Sequence, residues 1–175
     1  MSFLAERDMA RRALEYRGPT PYPELPPVAS RIRAARERLG VSMLEFASRW
    51  SAEPWAYRDL EFADHELFTT VDLGDLPRLA SALELPLMVL LFGEAPMRPL
   101  SSVSYNDVAR AIGRRLSDDG LTIEQLSEIA GWELQPIVDE SGTLATFNLQ
   151  GVFDVCQTVG LDWVGLVDAV ERGVA

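Results

Sequence analysis

Apolar residues recur along the chain at the three-to-four-residue spacing of amphipathic helices, and the same pattern occurs twice. The first copy is VASRIRAARERLGVSMLEFASRWSAEPWAYRDLE, and it can be laid without a gap over the second, VARAIGRRLSDDGLTIEQLSEIAGWELQPIVDES. The matched positions are Val28 with Val108, Ile32 with Ile112, Gly40 with Gly120, Phe46 with Leu126, and Tyr57 with Ile137. Surface positions mostly differ. Matching periodicity with divergent surfaces indicates a duplicated fold whose two copies have different functions.

The alignment resumes beyond the longer loop FADHELFTT of the first copy, four residues out of step. The matched apolar positions there are Leu73, Leu76, Leu79, Leu83 and Leu85 with Leu149, Val152, Val155, Val159 and Leu161. Nothing in the chain has the pattern of a sheet. We therefore predict an all-α protein in which each copy forms about five short helices.

Local signals mark where the helices begin and end. Gly40 and Gly120 are predicted to end the first helix of each copy, because glycine readily takes the positive φ of a helix C-terminus. A capping box is predicted to open the second helix of each copy. The two boxes are Ser42-x-x-Glu45 and Thr122-x-x-Gln125.

Prolines mark further boundaries. Pro54 lies early enough in the third helix to need no partner for a backbone N–H, and Pro77 implies that the fourth helix starts close to Asp75. The segment GPTPYPELPP has five prolines in ten residues, so it is predicted to be an extended arm after an amphipathic N-terminal helix. The predicted organisation is an N-terminal helix and arm at 1–27, a first unit at 28–99 and a second unit at 100–175.

The charge of the chain is strongly negative and unevenly distributed. Its 175 residues include 16 arginines, no lysine and 27 acidic residues, for a net charge of −11. Nine arginines and six acids up to Arg49 give +3, whereas seven arginines and 21 acids from Trp50 onward give −14. Such a body repels nucleic acid at long range and favours basic partners, unless a local basic face overrides it.

Several chemistries lack the residues that they need. The single cysteine, Cys156, excludes an internal disulfide and a cysteine-based zinc cluster, and its apolar neighbours predict a core position. The single histidine, His65, has no identifiable catalytic partner, and three adjacent residues such as Asp64, His65 and Glu66 rarely converge on one metal ion. No signal peptide is evident, and LELPLMVLLF is too short to span a bilayer. We expect a cytoplasmic, non-enzymatic binding protein with no catalytic residues, no metal, no cofactor and no membrane segment.

The first copy resembles the lambda-repressor-like helix-turn-helix domains of the Xre/Cro family. The resemblance rests on RIRAARERLGVSMLEFASRW, YRDLE and LPRLASALELPLMVLLFG. Family members place a small residue on the second helix, an apolar residue ten positions later, a Leu-Glu pair, and a final Leu-x-Leu signature. Those positions are Ala47, Tyr57, Leu60, Glu61, and Leu83 to Leu85. In the second copy the matching positions are Ser127, Gly131 for the turn, Ile137 and, in place of the Leu-Glu pair, Glu140-Ser141. The resemblance therefore implies tandem helix-turn-helix units, the second of them degenerate.

The resemblance implies that the third helix enters the major groove of DNA. Base reading favours Arg, Asn and Gln, but the first copy offers Glu53, Pro54, Trp55 and Ala56, and in the second copy only Gln135 is suited. Arginines of the first unit are the candidate phosphate contacts. They are Arg31, Arg33, Arg36, Arg38, Arg49 and Arg58. The first hypothesis is a DNA-associated transcriptional regulator that uses the first unit and has weak sequence readout.

The alternative hypothesis retains the same helical fold but assigns it a protein partner in place of DNA. The arginines would then form a solvated helix face, and Trp55, with Pro54 and Glu53 beside it, would anchor a protein contact. The acidic body would suit a cationic partner such as a toxin, as for an antitoxin or an immunity protein. The sequence leaves open whether the protein is a monomer with internal pseudo-symmetry or a homodimer.

Overall fold

The computed structural model describes residues 27–93 and 102–175, and every regular element within these two ranges is a helix. The prediction of an all-α protein is confirmed for this part of the chain. The helices of the first unit are α1 (Val28–Arg38), α2 (Met43–Trp50), α3 (Pro54–Phe62), α4 (Glu66–Thr70), α5 (Leu76–Ala82) and α6 (Leu87–Phe92). Those of the second unit are α7 (Tyr105–Asp119), α8 (Ile123–Ala130), α9 (Gln135–Asp139), a 3₁₀ helix (Ser141–Thr146), α10 (Leu149–Val159) and α11 (Trp163–Glu171).

The local boundary signals are confirmed. Both capping boxes form: the N–H of Ser42 donates to Glu45 over 2.8 Å, and that of Thr122 donates to the side chain of Gln125 over 2.9 Å. Each cap side chain in turn accepts the N–H three residues on. Pro54 is the first residue of α3. The predicted N-terminal helix and the proline arm up to residue 26 lie outside the described residues.

The loop FADHELFTT contains a helix that the sequence pattern did not predict. Glu66–Thr70 forms the single turn α4, and Leu67 and Phe68 within it are buried. The matching place in the second unit is the 3₁₀ helix, where Leu144 is buried. Two adjacent apolar residues are too short a signal to show a helical period. Their burial against α3 and α10 draws the segment into the core as a compact turn.

The repeated apolar pattern forms one continuous core. Of the nine apolar pairs matched in the sequence analysis, seven are buried in both units. They are Val28 with Val108, Ile32 with Ile112, Phe46 with Leu126, Tyr57 with Ile137, Leu73 with Leu149, Leu76 with Val152, and Leu79 with Val155. Each fully buried aliphatic side chain contributes about 1.5–3 kcal/mol. Cys156 is also buried, as predicted, and burial raises the pKa of its thiol to about 12.

At two matched positions the units share a left-handed backbone turn that the second unit builds with glycine and the first unit does not. Ser51 ends α2 at φ 61°, and its counterpart Gly131 ends α8 at φ 76°. Likewise Glu84 follows α5 at φ 53°, whereas Gly160 ends α10 at φ 73°. A side chain in this region clashes with the backbone, at a cost of roughly 1–2 kcal/mol. The first unit therefore keeps the same chain path with more strain.

The two units pack through corresponding helices. The helix α6 contacts α11, its counterpart in the alignment, and the rings of Phe92 and Trp163 lie 5.6 Å apart. The carboxylate of Glu171 in α11 accepts the N–H groups of Leu87 and Met88 over 2.6 and 3.3 Å. It therefore caps the N-terminus of α6, where the N–H groups have no partner within their own helix.

A short backbone contact also joins corresponding positions. Asp72 and Asn148 form an isolated antiparallel bridge, and they are matched residues in the alignment. Beside it the N–H of Gly74 donates to the carbonyl of Ala145 over 2.9 Å. These backbone contacts therefore join segments that the sequence alignment pairs. No helix in the described ranges is long and apolar enough to cross a bilayer.

We predict that Ser51→Gly stabilises the protein, because glycine removes the clash at φ 61°. The expected gain in the free energy of unfolding is about 0.5–1 kcal/mol after the added flexibility of the unfolded chain. Urea unfolding followed by circular dichroism measures it. Ser48→Gly, on the exposed side of α2, is the control and should lose about 0.5 kcal/mol. No gain at Ser51 would contradict the strain argument.

We predict that Glu171→Ala lowers the free energy of unfolding by about 1–3 kcal/mol, since two N–H groups of α6 lose their acceptor. The same urea titration measures this change. Asp118→Ala, which alters an exposed acid on α7, should change stability by less than about 0.5 kcal/mol. Equal effects of the two substitutions would argue that Glu171 does not join the units.

Candidate interaction surface

The helix α3 is fixed on its inner side by α1 and α2, which it contacts. Ala47 on α2 is fully buried, and its small side chain leaves room for α3 to pack against α2. The rings of Phe46 and Tyr57 lie 4.8 Å apart across the crossing. Aromatic pairs at this separation add about 0.5–1.5 kcal/mol to their burial. The inner face therefore determines which side of α3 is presented outward.

A buried ion pair joins α1 to the end of α3. The Glu61 carboxylate, 1% exposed, accepts hydrogen bonds from Arg36 Nε and Nη2 over 2.5 and 2.9 Å. The Arg36 side chain is 11% exposed, and its Nη1 donates to the carbonyl of Val41 over 2.8 Å. One guanidinium thus holds α3 and the segment before α2 together. A bidentate pair of this kind also restricts the relative orientation of the two helices.

The electrostatics at this pair keep both groups charged. Burial by itself would raise the pKa of Glu61, but the hydrogen bonds and charge of Arg36 outweigh it and the pKa lies below its ordinary value. Hydrogen bonding to Glu61 likewise raises the pKa of Arg36. The Tyr57 hydroxyl lies beside them, and burial raises its pKa. Removing either partner of such a buried, charged pair therefore strongly lowers the free energy of unfolding.

The other arginines of α1 bind backbone carbonyls of the same unit. Arg31 donates from Nε and Nη2 to the carbonyls of Leu90 and Leu91 over 2.7 and 2.6 Å. Arg38 Nη2 donates over 3.2 Å to the carbonyl of Leu83, the residue that ends α5. Carbonyls at a helix C-terminus lack partners within the helix and carry partial negative charge. These two arginines, predicted as phosphate contacts, act as C-terminal caps in this structure.

Arg33 is engaged in a similar way at the end of α3. Its Nη2 donates to the carbonyl of Glu61 over 2.6 Å, and its guanidinium carbon lies 4.6 Å from the centre of the Phe62 ring. The four candidate arginines of α1 therefore all contact the protein itself. Arg49 and Arg58, the other two candidates of this unit, lie exposed on α2 and α3. Arg58 also donates to the carboxylate of Asp59 over 3.1 Å.

The outer side of α3 carries an exposed stripe that we call the α3 face, formed by Trp55, Arg58 and Phe62. Trp55 is 66% exposed, Phe62 is 64% exposed and the Arg58 side chain is 62% exposed. Residues three and seven apart lie on one side of a helix. Of the six large apolar side chains that are exposed in the described ranges, four belong to α2 or α3. They are Met43, Leu44, Trp55 and Phe62.

The remaining predicted contact residues of the first unit lie at the start of this face. Pro54 and Glu53 are exposed, and the Glu53 side chain makes no capping hydrogen bond to α3. Glu53, Pro54 and Trp55 are consecutive, and all three are exposed at the start of α3. Phe62 was not among the predicted residues. Its spacing of seven from Trp55, about two helical turns, is the signal that would have found it.

The second unit has an open groove at the matching place, which we call the α8–α9 groove. Its volume is about 580 Å³. Its lining residues are Ile123, Glu124, Ser127, Glu128, Gly131, Trp132, Glu133 and Gln135. The side-chain amide of Gln135, the one base-reading candidate of this unit, donates to Asp139 over 2.7 Å. The groove is a feature that periodicity alone did not indicate.

The loop with the single histidine has a structural role in this structure. The Asp64 carboxylate accepts the N–H of Ala29 over 2.9 Å, which caps the start of α1. His65 lies 3.4 Å from Glu66. Within the described ranges, no group of three or more His, Cys, Asp or Glu side chains could hold a metal ion.

No known protein-family model, curated protein or solved structure matches this chain.

We predict that Glu61→Gln lowers the free energy of unfolding by about 3 kcal/mol at pH 7, because it leaves the Arg36 charge buried without its partner. Urea unfolding measures it. Glu37→Gln is the matched control: this carboxylate lies 3.8 Å from the same arginine but is 62% exposed, so its loss should cost less than about 1 kcal/mol.

The loss of stability caused by Glu61→Gln should become smaller as the pH is lowered. The folded-state pKa of Glu61 lies below its ordinary value of 4.5, so the pair stabilises the fold fully above that pH and less as the pH falls through the folded pKa. The difference in stability between the wild type and Glu61→Gln should therefore shrink below pH 4.5. A difference that stays constant down to acid unfolding would show that charge is not its cause.

Proposed function

We propose that this chain is a non-enzymatic regulatory protein of the Xre/Cro helix-turn-helix class that binds a protein partner through the α3 face. The observation that carries the proposal is the exposed stripe of Trp55, Arg58 and Phe62 on the outer side of α3. The helix-turn-helix class is supported by the α2–α3 crossing over Ala47 and by the buried Leu60 and Glu61, the positions on which the resemblance rests.

The composition of the α3 face favours a protein partner. Tryptophan, tyrosine and arginine dominate the residues that carry binding energy in protein interfaces. Contiguous exposed apolar side chains mark interaction sites, because water solvates them poorly. Leu44 on α2 is exposed as well, so the apolar surface is not limited to one helix. Covering Trp55 and Phe62 with a partner would remove a large part of this apolar surface from water.

The arginine contacts favour the same conclusion. Arg31, Arg33 and Arg38 donate to carbonyls of their own unit, and Arg36 is paired with Glu61. To bind phosphates, these side chains would have to leave helix C-termini or a buried carboxylate.

The acidic composition points to a basic protein, such as a toxin neutralised by an antitoxin or an immunity protein.

DNA association is the second candidate, and the exposure of Arg49 and Arg58 favours it. Both side chains lie on the two helices that contact DNA in the family that this chain resembles. They would supply phosphate contacts with little base readout, since Glu53, Pro54 and Trp55 occupy the start of α3.

We predict that Trp55→Ala and Phe62→Ala each weaken binding of the protein partner at least tenfold, as hot-spot truncations do at about 2 kcal/mol. The partner is captured from the native host with the tagged full chain, identified by mass spectrometry and titrated by calorimetry. Val138→Ala, an exposed apolar change in the second unit, should leave the Kd unchanged. Unchanged affinity in both α3 variants would remove this face as the interface.

Arginine variants, compared with Trp55→Ala, test the second candidate. A DNA-associated regulator should retard a duplex from the upstream region of its own gene, with affinity that falls steeply as salt rises. Arg49→Ala with Arg58→Ala should then weaken that binding, whereas Trp55→Ala should affect it less. Retardation that survives loss of both arginines would exclude phosphate contact through these helices.

A further inference from the structure

The α8–α9 groove combines a rigid aromatic wall with negative charge. The indole Nε1 of Trp132 donates to the Asp154 carboxylate over 3.1 Å, and its ring lies 5.4 Å from that of Phe147. A Cβ at Gly151 would lie 3.0 Å from both rings, so the absence of a side chain there permits this packing. Trp132 is therefore held in place before any ligand arrives, which reduces the entropy lost on binding.

The charge of the groove is all of one sign. Glu124, Glu128 and Glu133 line it, and no basic residue does. The matching positions in the first unit are Leu44, Ser48 and Glu53, so two of the three carboxylates belong to the second unit alone. From residue 102 onward the chain carries four arginines and 12 acidic residues, so the surrounding field is also negative.

We propose that the α8–α9 groove binds an arginine-bearing segment of the partner protein, a proposal that rests on the proposed function of protein binding. A guanidinium forms strong, charge-assisted hydrogen bonds with carboxylates and stacks on an indole. Ile123 in the lining offers an apolar surface to the aliphatic part of that side chain.

The alternative occupants fit the groove less well. Phosphate groups would be repelled by three carboxylates, so nucleic acid is disfavoured. A partner bound at the α3 face by aromatic contacts would use the groove as a separate, charge-selective contact. Two contacts on one chain raise the overall affinity when one partner reaches both.

The test uses the full chain labelled with 5-fluorotryptophan and fluorine NMR. The four tryptophans give separate signals, and Trp132→Phe assigns the one from the groove. The probe is a capped peptide of alternating glycine and arginine, with the glycine–glutamate peptide as its counterpart. The arginine peptide should shift the Trp132 signal saturably and leave the Trp55 signal in place, and the glutamate peptide should shift neither.

Paired variants distinguish a site from general acidity. Glu128→Gln with Glu133→Gln should weaken the arginine peptide roughly fivefold or more, about 1 kcal/mol. Asp118→Asn with Glu140→Gln removes the same charge from exposed positions elsewhere in this unit and should have little effect. Equal weakening by both pairs, an unshifted Trp132 signal at saturation, or a shift produced by a duplex oligonucleotide would overturn the proposal.

Failure of this proposal and failure of the proposed function give different results. Failure of the groove would leave the effect of Trp55→Ala on partner capture intact. Failure of the α3 face would instead appear as unchanged partner affinity in Trp55→Ala and Phe62→Ala, whatever the arginine peptide does.

Discussion

The ion pair between Arg36 and Glu61 is the constraint on which the first unit depends. It is almost completely removed from water, and removing water from two charges costs several kcal/mol unless their geometry is good. Two hydrogen bonds to the carboxylate and a third to Val41 supply that geometry. Because the pair joins α1 to the end of α3, it determines how α3 lies on the core. Together with the buried Tyr57 and Leu60 on the inner side of α3, this pair leaves the stripe with Trp55 exposed.

The arginines of α1 show why a count of charges does not locate a binding surface. Along the sequence they form a basic run. In the folded chain Arg36 pairs with Glu61, and the other three lie against the C-terminal carbonyls of α3, α5 and α6. Carbonyl groups at helix ends attract cations because they lack hydrogen-bond partners. The positive charge of these arginines therefore balances the partial negative charge at helix C-termini of the same unit. What remains outside is largely aromatic on α3 and acidic around the α8–α9 groove.

The two units combine a shared backbone plan with different surfaces. Left-handed turns occur at matched residues even where the first unit has Ser51 or Glu84 in place of glycine, which indicates that the chain path outweighs local preference. Corresponding helices α6 and α11 pack together, and Glu171 caps α6 across that contact. These two helices are thus packed against each other within one chain. The outward faces are free to differ, and they do.

Sequence periodicity and local caps were enough to predict the all-α class, the two capping boxes and the start of α3, because those signals act within one or two helical turns. The exposure of Trp55 also followed from its position. The helix α4, the partners of Arg31 and Arg36, and the α8–α9 groove did not. Arg31 meets carbonyls 59 and 60 residues away, and Arg36 meets a carboxylate 25 residues away. Such contacts exist only once helices distant in sequence have packed, so the tertiary structure alone decided which charges face the solvent.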